Sequence, residues 1–153
     1  MNVTIKAAKK FAKSAKRILI IDDEAHVREV VQTCLETLGN WDVLSAACCY
    51  EGWDKAQAEQ PDAILMDVIM PQLNGFAFLQ QLRSNPVTHG IPVVLLTAMA
   101  HELDPQQLSA LGVRAAIAKP FHPVLLINQI AEALGWLLGK PNPIFPLAVE
   151  SKP

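Results

Sequence analysis

Five short apolar segments, each followed by a segment whose apolar residues have helical spacing, constrain the fold of this 153-residue chain more than any other feature. The segments predicted as strands are Ile18–Ile21, WDVLSA, DAILMD, IPVVLLT and RAAIAK. Such an alternation is typical of a parallel sheet with helices on both faces. IPVVLLT is almost wholly apolar, which indicates a strand buried on both faces. We therefore predict an α/β fold with a five-stranded, doubly wound parallel sheet and five helices.

The segments between the predicted strands contain residues that are typical of helix starts and turns. Asp104 and Pro105 form an N-cap and first-turn pair that predicts the start of the fourth helix. Pro123 predicts the start of the last helix. The segment PQLNG, Pro71 to Gly75, is predicted as a turn, and Gly75 is expected to serve that turn without a chemical role.

Composition and charge argue against several classes of protein. The chain is 51% hydrophobic and 18% charged, which favours a compact domain over a disordered chain. A net charge of −2 gives no indication that it binds nucleic acid directly. No apolar run approaches the ~20 residues of a membrane span, and the N-terminus lacks the apolar core of a secretory signal. Three cysteines without a framework spacing suit reduced thiols, so we expect a cytoplasmic protein.

The two ends of the chain differ in character from the alternating pattern. Residues 1–16 are basic and alanine-rich, and they are predicted to form an N-terminal extension, either a solvated tail or a helix for a membrane surface or partner. Residues 17–139 form the predicted domain. Residues 140–153 contain four prolines and are predicted to be an extended tail or a linker to a further domain.

Three bulky apolar residues, Trp136, Leu137 and Leu138, are predicted to close the last helix. They cannot all face the core, so at least one is expected to be exposed or covered. This leaves two interpretations open: a homodimer or partner patch, and packing under the tail through Ile144 and Phe145.

Polar side chains follow four of the five predicted strands. Asp22 and Asp23 end the first strand, Asp67 the third, Thr97 the fourth and Lys119 the fifth. Ligands of open α/β sheets bind outside the carboxyl ends of the strands, so these side chains are expected at one site. Three carboxylates brought together repel one another and need a cation. An oxygen-only ligand set without His or Cys at zinc spacing suits Mg²⁺.

A cation, a carboxylate, a hydroxyl and an ammonium group together are typical of phosphoryl transfer. Asp67 can serve as the nucleophile and form an aspartyl-phosphate. Mg²⁺ would hold one phosphoryl oxygen, Lys119 a second and the Thr97 hydroxyl a third.

The motifs LIIDDE, LMDVIMPQLNG, LLTA and AKPF resemble those of the receiver domain of two-component response regulators, over roughly residues 17–138. The resemblance implies the flavodoxin-like strand order 2-1-3-4-5. It also implies a phosphorylation-dependent switch that takes its phosphoryl group from a histidine kinase or phosphotransfer protein and acts by contact with a downstream protein. Such a protein is not an enzyme in the usual sense, since it catalyses only its own phosphorylation and dephosphorylation.

The resemblance also assigns roles to individual residues. Asp67 matches the phosphoacceptor and Asp23 the direct metal ligand, while Asp22 matches the ligand that acts mostly through water. The backbone carbonyl of Ile69 would complete the metal ligands supplied by the protein.

The family's switch hydroxyl and phosphate-binding lysine match Thr97 and Lys119. Pro120 follows Lys119 as in the family, where that peptide bond is usually cis. Most receivers carry Tyr or Phe three residues before the lysine, where this chain has Ala116. The usual readout couples movement of the hydroxyl to rotation of that ring, so Thr97 and the loop after it would have to carry the change alone, or the switch surface lies elsewhere.

Two further positions differ from those of fast-hydrolysing receivers. Ile69 and Met99 lie two residues after Asp67 and two after Thr97, where family members flank the path of the attacking water. Neither side chain can orient a water by hydrogen bonding. We therefore expect a phosphoryl group that persists for minutes or more rather than seconds.

Two other functions remain alternatives to the switch. A receiver-like scaffold that no longer switches is favoured by Ala116 and disfavoured by the complete acidic set. A Mg²⁺-dependent phosphatase of the haloacid dehalogenase type also uses an aspartate, a threonine and a lysine, but that family places its nucleophile on the first strand as Asp-x-Asp. The adjacent Cys48 and Cys49 leave a redox role open, whereas Cys34 is predicted to lie in the core.

Overall fold

A computed structural model describes residues 15–70 and 73–138 of the chain. All but two residues of the predicted N-terminal extension, and the whole proline-rich tail, lie outside these ranges.

The five predicted strands form one parallel sheet. They are β1 (Arg17–Ile21), β2 (Asp42–Ala46), β3 (Ala63–Met66), β6 (Val93–Thr97) and β7 (Val113–Ala118). Their order across the sheet is β2-β1-β3-β6-β7, which confirms the predicted order 2-1-3-4-5. Neighbouring strands are parallel throughout, so their carboxyl ends meet at a single edge.

In the described part of the chain, five α-helices and one 3₁₀ turn accompany the strands; four of the helices connect strands and the fifth follows β7. The helices are α1 (Ala25–Thr37), α2 (Cys49–Glu59), α3 (Gly75–Ser84), α4 (Pro105–Ala110) and α5 (Pro123–Leu134), and the 3₁₀ turn is Ala100–Glu102. The predicted N-cap of α4 is confirmed, because the Asp104 side chain accepts a hydrogen bond from the Gln106 N–H. Pro123 is the first residue of α5, as predicted.

The sheet is buried on both faces, which explains its apolar strands. Alternate side chains of each strand point to opposite faces. On one face Leu19, Ile64 and Leu95 pack with residues of α2, α3 and α4. On the other face the neighbouring strand residues pack with α1 and α5, where Leu35 and Leu126 are fully buried.

The segment after Asp67 is a small hairpin, so Leu73 and Asn74, predicted as part of a turn, form a short strand instead. Strands β4 (Ile69–Met70) and β5 (Leu73–Asn74) pair antiparallel. The Asn74 side chain then caps α3 by accepting a hydrogen bond from the Phe76 N–H. Because Pro71 and Gln72 fall outside the described residues, the hairpin is known from its two paired ends.

Gly75 was predicted to serve the turn after Pro71, but its structural role is different. It is the first residue of α3 and lies against the backbone of Val68, which directly follows Asp67. A Cβ atom at Gly75 would lie 2.6 Å from Cα and 2.8 Å from the carbonyl oxygen of Val68. The glycine therefore permits a close approach of two backbone segments beside the site.

The end of α5 also differs from the prediction. The helix ends at Leu134, and Gly135 adopts the left-handed conformation with φ of 70°. The Trp136 N–H donates to the carbonyl of Ala131 at 2.9 Å, which closes the helix in a glycine-dependent cap. The three bulky residues from Trp136 to Leu138 therefore lie beyond the helix, because Gly135 and not Gly139 ends it.

Candidate functional site

Lys119 joins two buried carboxylates at the carboxyl edge of the sheet. Its Nζ lies 2.9 Å from Oδ2 of Asp22 and 2.9 Å from Oδ2 of Asp67. Asp22 is 2% exposed and Asp67 is 7% exposed. Burial of an unpaired carboxylate costs several kcal/mol in lost hydration, so the shared ammonium group stabilises the two buried carboxylates.

The ends of β1 and β3 place the two aspartates side by side. Ile21 pairs with Met66 in the sheet, and Asp22 and Asp67 follow these two residues. The sheet hydrogen bonding continues one step further, since the Asp67 N–H donates to the Ile21 carbonyl at 3.3 Å. The position of each carboxylate is thus fixed by strand register.

Each aspartate also has one oxygen held by its own backbone. Oδ1 of Asp22 accepts from the Glu24 N–H and Oδ1 of Asp67 accepts from the Ile69 N–H, both at 2.9 Å. Turns of this kind are characteristic of Asp. One oxygen of each carboxylate is therefore held in place, and the other faces Lys119.

Lys119 follows β7, and its backbone N–H donates to the Thr97 carbonyl at 3.1 Å. The Lys119–Pro120 peptide bond is cis, as the resemblance implies. Burial by itself lowers the pKa of Lys119, but the hydrogen bonds and charges of Asp22 and Asp67 outweigh it, so the pKa is raised above its ordinary value. The ammonium group consequently stays protonated at neutral pH.

Thr97 is the last residue of β6 and is fully buried. Its strand lies between β3, which leads to Asp67, and β7, which leads to Lys119. Its Oγ1 accepts a hydrogen bond from the Met99 N–H at 3.3 Å. The hydroxyl is therefore linked to the start of the loop that follows the strand.

Ala116 lies on the β7 strand next to Leu95 of β6. It lines a pocket of about 240 Å³ together with Leu103, Leu108 and Val113, among other residues. Where most receivers have an aromatic ring, this chain therefore has a small side chain beside an open pocket.

Two residues near the site were not among the sequence candidates. Oε1 of Glu24 lies 3.5 Å from Nζ of Lys119, and Nη1 of Arg28 donates to the backbone carbonyl of Asp22 at 2.7 Å. Glu24 directly follows the aspartate pair, so its position was a usable signal. Arg28 lies six residues beyond Asp22 on α1, and only the helix geometry brings it back to the strand end.

The donor chemistry of the site fits a hard divalent cation. Asp22, Asp23, Glu24 and Asp67 bring four carboxylates to this edge, and the Lys119 ammonium group contacts those of Asp22, Glu24 and Asp67. Asp23 is exposed, in contrast to its neighbour Asp22. Among residues 15–70 and 73–138, no three Asp, Glu, His or Cys side chains already surround a common point where a metal ion could bind. The fit therefore rests on excess negative charge and on oxygen donors.

The cysteine pair begins α2, with Cys48 as the N-cap residue and Cys49 as the first helical residue. Cys49 is buried and Cys48 is partly exposed. Burial, with a smaller contribution from Cys48, raises the pKa of Cys49 to about 11. At pH 8 Cys49 is then almost entirely in the thiol form, whereas the thiolate is the reactive form.

We therefore expect iodoacetamide at pH 8 to modify the native protein at Cys48 and to spare Cys34 and Cys49, as measured by peptide mass. The variant Cys48→Ser is the control and is expected to remain unmodified until it is unfolded. Modification of Cys49 in the folded protein at a rate equal to that of Cys48 would contradict the burial argument.

None of the helices in the described part of the chain is long and apolar enough to cross a membrane.

Comparison with known proteins gives a consistent picture. A family model for the response regulator receiver domain matches residues 18–131. Response regulator Rre1 of Synechocystis sp. is 42% identical over 106 residues, which cover 69% of this chain and 46% of that protein. Chemotaxis protein CheY1 of Helicobacter pylori is 30% identical over 120 residues, which cover 78% of this chain and 97% of that protein.

This chain thus spans about half the length of Rre1 and of several other curated relatives. Among solved structures, the chemotaxis response regulator CheY4 of Vibrio cholerae superposes with a TM-score of 0.71 at 28% identity, covering 78% of this chain and 99% of that one. The chain therefore belongs to the response regulator receiver domain family.

Proposed function

We propose that this receiver domain is a phosphorylation-dependent signalling switch whose phosphoacceptor is Asp67. The observation that carries the proposal is the position of Lys119 Nζ, which lies 2.9 Å from a carboxylate oxygen of both Asp22 and Asp67. An ammonium group beside the nucleophilic carboxylate can neutralise negative charge on a transferred phosphoryl group.

In the proposed reaction, a carboxylate oxygen of Asp67 attacks the phosphorus of a phosphohistidine. The new P–O bond forms as the P–N bond breaks, and the released imidazole takes up a proton. Oδ1 of Asp67 accepts from the Ile69 N–H, so Oδ2, which faces Lys119, is the oxygen we assign as nucleophile. After transfer, the Lys119 ammonium group would contact a phosphoryl oxygen instead of the carboxylate oxygen. The Thr97 hydroxyl would donate a hydrogen bond to a second phosphoryl oxygen.

The proposed metal ligands are the carboxylates of Asp22, Asp23 and Asp67 and the backbone carbonyl of Ile69. Mg²⁺ suits this oxygen-only set, and when bound it would neutralise charge on the transferred group. Asp23 is exposed and Asp22 is buried. Both oxygens of Asp22 already accept hydrogen bonds, from the Glu24 N–H and from Lys119 Nζ, which supports Asp23 as the direct ligand and Asp22 as the ligand that acts mostly through water.

Removal of the metal tests this part of the proposal. With acetyl phosphate and Mg²⁺, we expect the intact mass of the chain to increase by one phosphoryl group, since one nucleophile is available. Excess chelator should abolish the increase, and added Mg²⁺ should restore it. Labelling that persists in excess chelator would show that phosphorylation does not require the cation. If neither acetyl phosphate nor phosphoramidate labels the chain, the proposed phosphorylation switch would be rejected.

The switch would receive its phosphoryl group from a histidine kinase or phosphotransfer protein and act through contact with a downstream protein or a second copy. We assign this activity to the cytoplasm, where the free thiols of Cys34, Cys48 and Cys49 would stay reduced.

Ile69 supports a slow loss of the phosphoryl group. Its side chain is 49% exposed directly after the Asp67 turn, and it cannot bond to an attacking water. We expect Ile69→Asn to speed dephosphorylation about two- to tenfold, since one hydrogen bond is worth about 0.5–1.5 kcal/mol. The measurement is the decay of the phosphorylated mass after the donor is removed.

Val87→Asn is the matched control, because Val87 is an apolar residue with the same exposed fraction of 49%. It is expected to leave the decay unchanged. A wild-type half-life of a few seconds would contradict the assigned role of Ile69.

A further inference from the structure

A groove of about 440 Å³ lies at the amino edge of the sheet. We call it the tryptophan groove; its lining residues are Ala15, Lys16, Gly39, Asn40, Trp41, Gly135, Trp136, Leu137 and Leu138. Its volume is within the range of about 300–1,000 Å³ that is typical of ligand sites.

Two aromatic rings form the base of the tryptophan groove. Trp41 and Trp136 pack edge to face, with ring centroids 5.3 Å apart and an interplanar angle of 78°. Nζ of Lys16 lies 5.7 Å from the Trp136 centroid, within the range of a cation–π contact. The Gly135 cap turns the chain at the end of α5, and Trp136 beyond it packs against Trp41.

The tryptophan groove has apolar surface that the described residues leave uncovered. Leu137 is 95% exposed, and it lines the groove together with Trp41 and Trp136. A lone exposed leucine is ordinary, but a leucine that continues an aromatic-lined groove marks a place where another segment can bind.

Both terminal segments outside the described ranges join the chain at this groove. Residues 1–14 connect to Ala15 and residues 139–153 follow Leu138, and both of these residues line it. Such a segment acts at an effective concentration in the mM range, so even a weak contact is populated.

Charge and composition distinguish the two segments. Residues 1–14 carry four lysines and no acidic residue, so Lys16 repels them. Residues 141–149 carry no charge and contain Pro-Ile-Phe-Pro, from Pro143 to Pro146. Proline-rich PxxP segments bind aromatic-lined grooves because their extended conformation is largely formed in advance.

We propose that residues 141–146 dock into the tryptophan groove of the same molecule, with Ile144 and Phe145 against Trp41, Trp136 and Leu137. An extended chain from Leu138 reaches about 9 Å by Pro141 and about 25 Å by Pro146, which suffices to run over a groove that Leu138 itself lines. Residues that come just before β1 and β2 line the tryptophan groove, whereas Asp22 and Asp67 come just after β1 and β3. The groove and the phosphoryl site therefore lie at opposite edges of the sheet, so docking is independent of the phosphoryl site.

The test uses the full chain labelled with 5-fluorotryptophan, whose three residues give three ¹⁹F NMR signals, assigned by Trp→Phe variants. Combined substitution Ile144→Ser and Phe145→Ser should shift the Trp41 and Trp136 signals and leave Trp53 unchanged. A peptide of residues 140–148, added to this variant, should move the two signals back. Signals that do not respond to the substitutions would overturn the proposal.

Val149→Ser is the matched control, since it changes the same tail outside the docking segment and should leave all three signals in place. Equal shifts in this control, or shifts that disappear on dilution of the wild-type chain, would also overturn docking within one molecule; the latter result indicates exchange with a second copy. Labelling by acetyl phosphate should be the same in every variant, which separates this test from that of the switch.

Discussion

Asp67→Asn is expected to eliminate the phosphoryl group from the intact mass of the chain after incubation with acetyl phosphate and Mg²⁺. The amide oxygen can still accept from the Ile69 N–H, and Lys119 keeps Asp22 and Glu24 as partners, so the fold should persist. An amide is not a nucleophile in this reaction, and therefore the loss should be complete. Mass spectrometry of wild type and variant under identical conditions measures it.

Asp54→Asn provides the control, because Asp54 is an exposed aspartate on α2 away from the carboxyl edge. It should incorporate one phosphoryl group as the wild type does. If Asp67→Asn were still labelled at the wild-type level, the phosphoacceptor would be another residue and the proposed site would be wrong.

Gly75→Ala is expected to destabilise the domain by about 1–3 kcal/mol or more. The new methyl group would lie 2.6 to 3.0 Å from the Cα, the carbonyl carbon and the carbonyl oxygen of Val68. Backbone atoms cannot relieve such a clash by a rotamer change, as a long side chain can. For a chain of this size, each kcal/mol corresponds to about 2–4 °C in Tm. Since Val68 follows Asp67, labelling by acetyl phosphate should also become slower. Thermal denaturation followed by circular dichroism gives the first result and intact mass the second.

Gly90→Ala is the matched control, because a Cβ atom there meets nothing within 4 Å. Its stability should remain within about 0.5 kcal/mol of the wild type, and its labelling should be unchanged. Equal stability of Gly75→Ala and Gly90→Ala would show that the Val68 segment relaxes freely, contrary to our interpretation of Gly75.

The architecture and the candidate residues could be predicted because they depend on local pattern. Apolar runs between helical segments indicate a parallel sheet, and parallel strands bring their carboxyl ends together whatever the details of the loops. Asp22, Asp67 and Lys119 are therefore expected near one another from the sequence alone. The N-cap at Asp104 was predictable for the same reason, since its partner is only two residues away.

Local sequence pattern was insufficient to predict the end of α5 and the short hairpin of β4 and β5. Both Gly135 and Gly139 could end α5, and only packing of Trp136 on Trp41 shows why the first is used. The hairpin of β4 and β5 was missed because PQLNG has the composition of a turn, and two-residue strands leave almost no periodicity to detect.

The sequence by itself thus determined the α/β sheet, its edge and the chemical groups that collect there, because strand and helix periods are properties of neighbouring residues. Only the tertiary structure decided that the Lys119 ammonium group lies 2.9 Å from a carboxylate oxygen of Asp22 and 2.9 Å from one of Asp67, rather than merely at the same edge of the sheet. It also decided that Gly75 touches Val68 and that two tryptophans form a groove. These contacts depend on strand register and helix ends at the level of single ångströms, and residues distant in sequence carry no local signal of them.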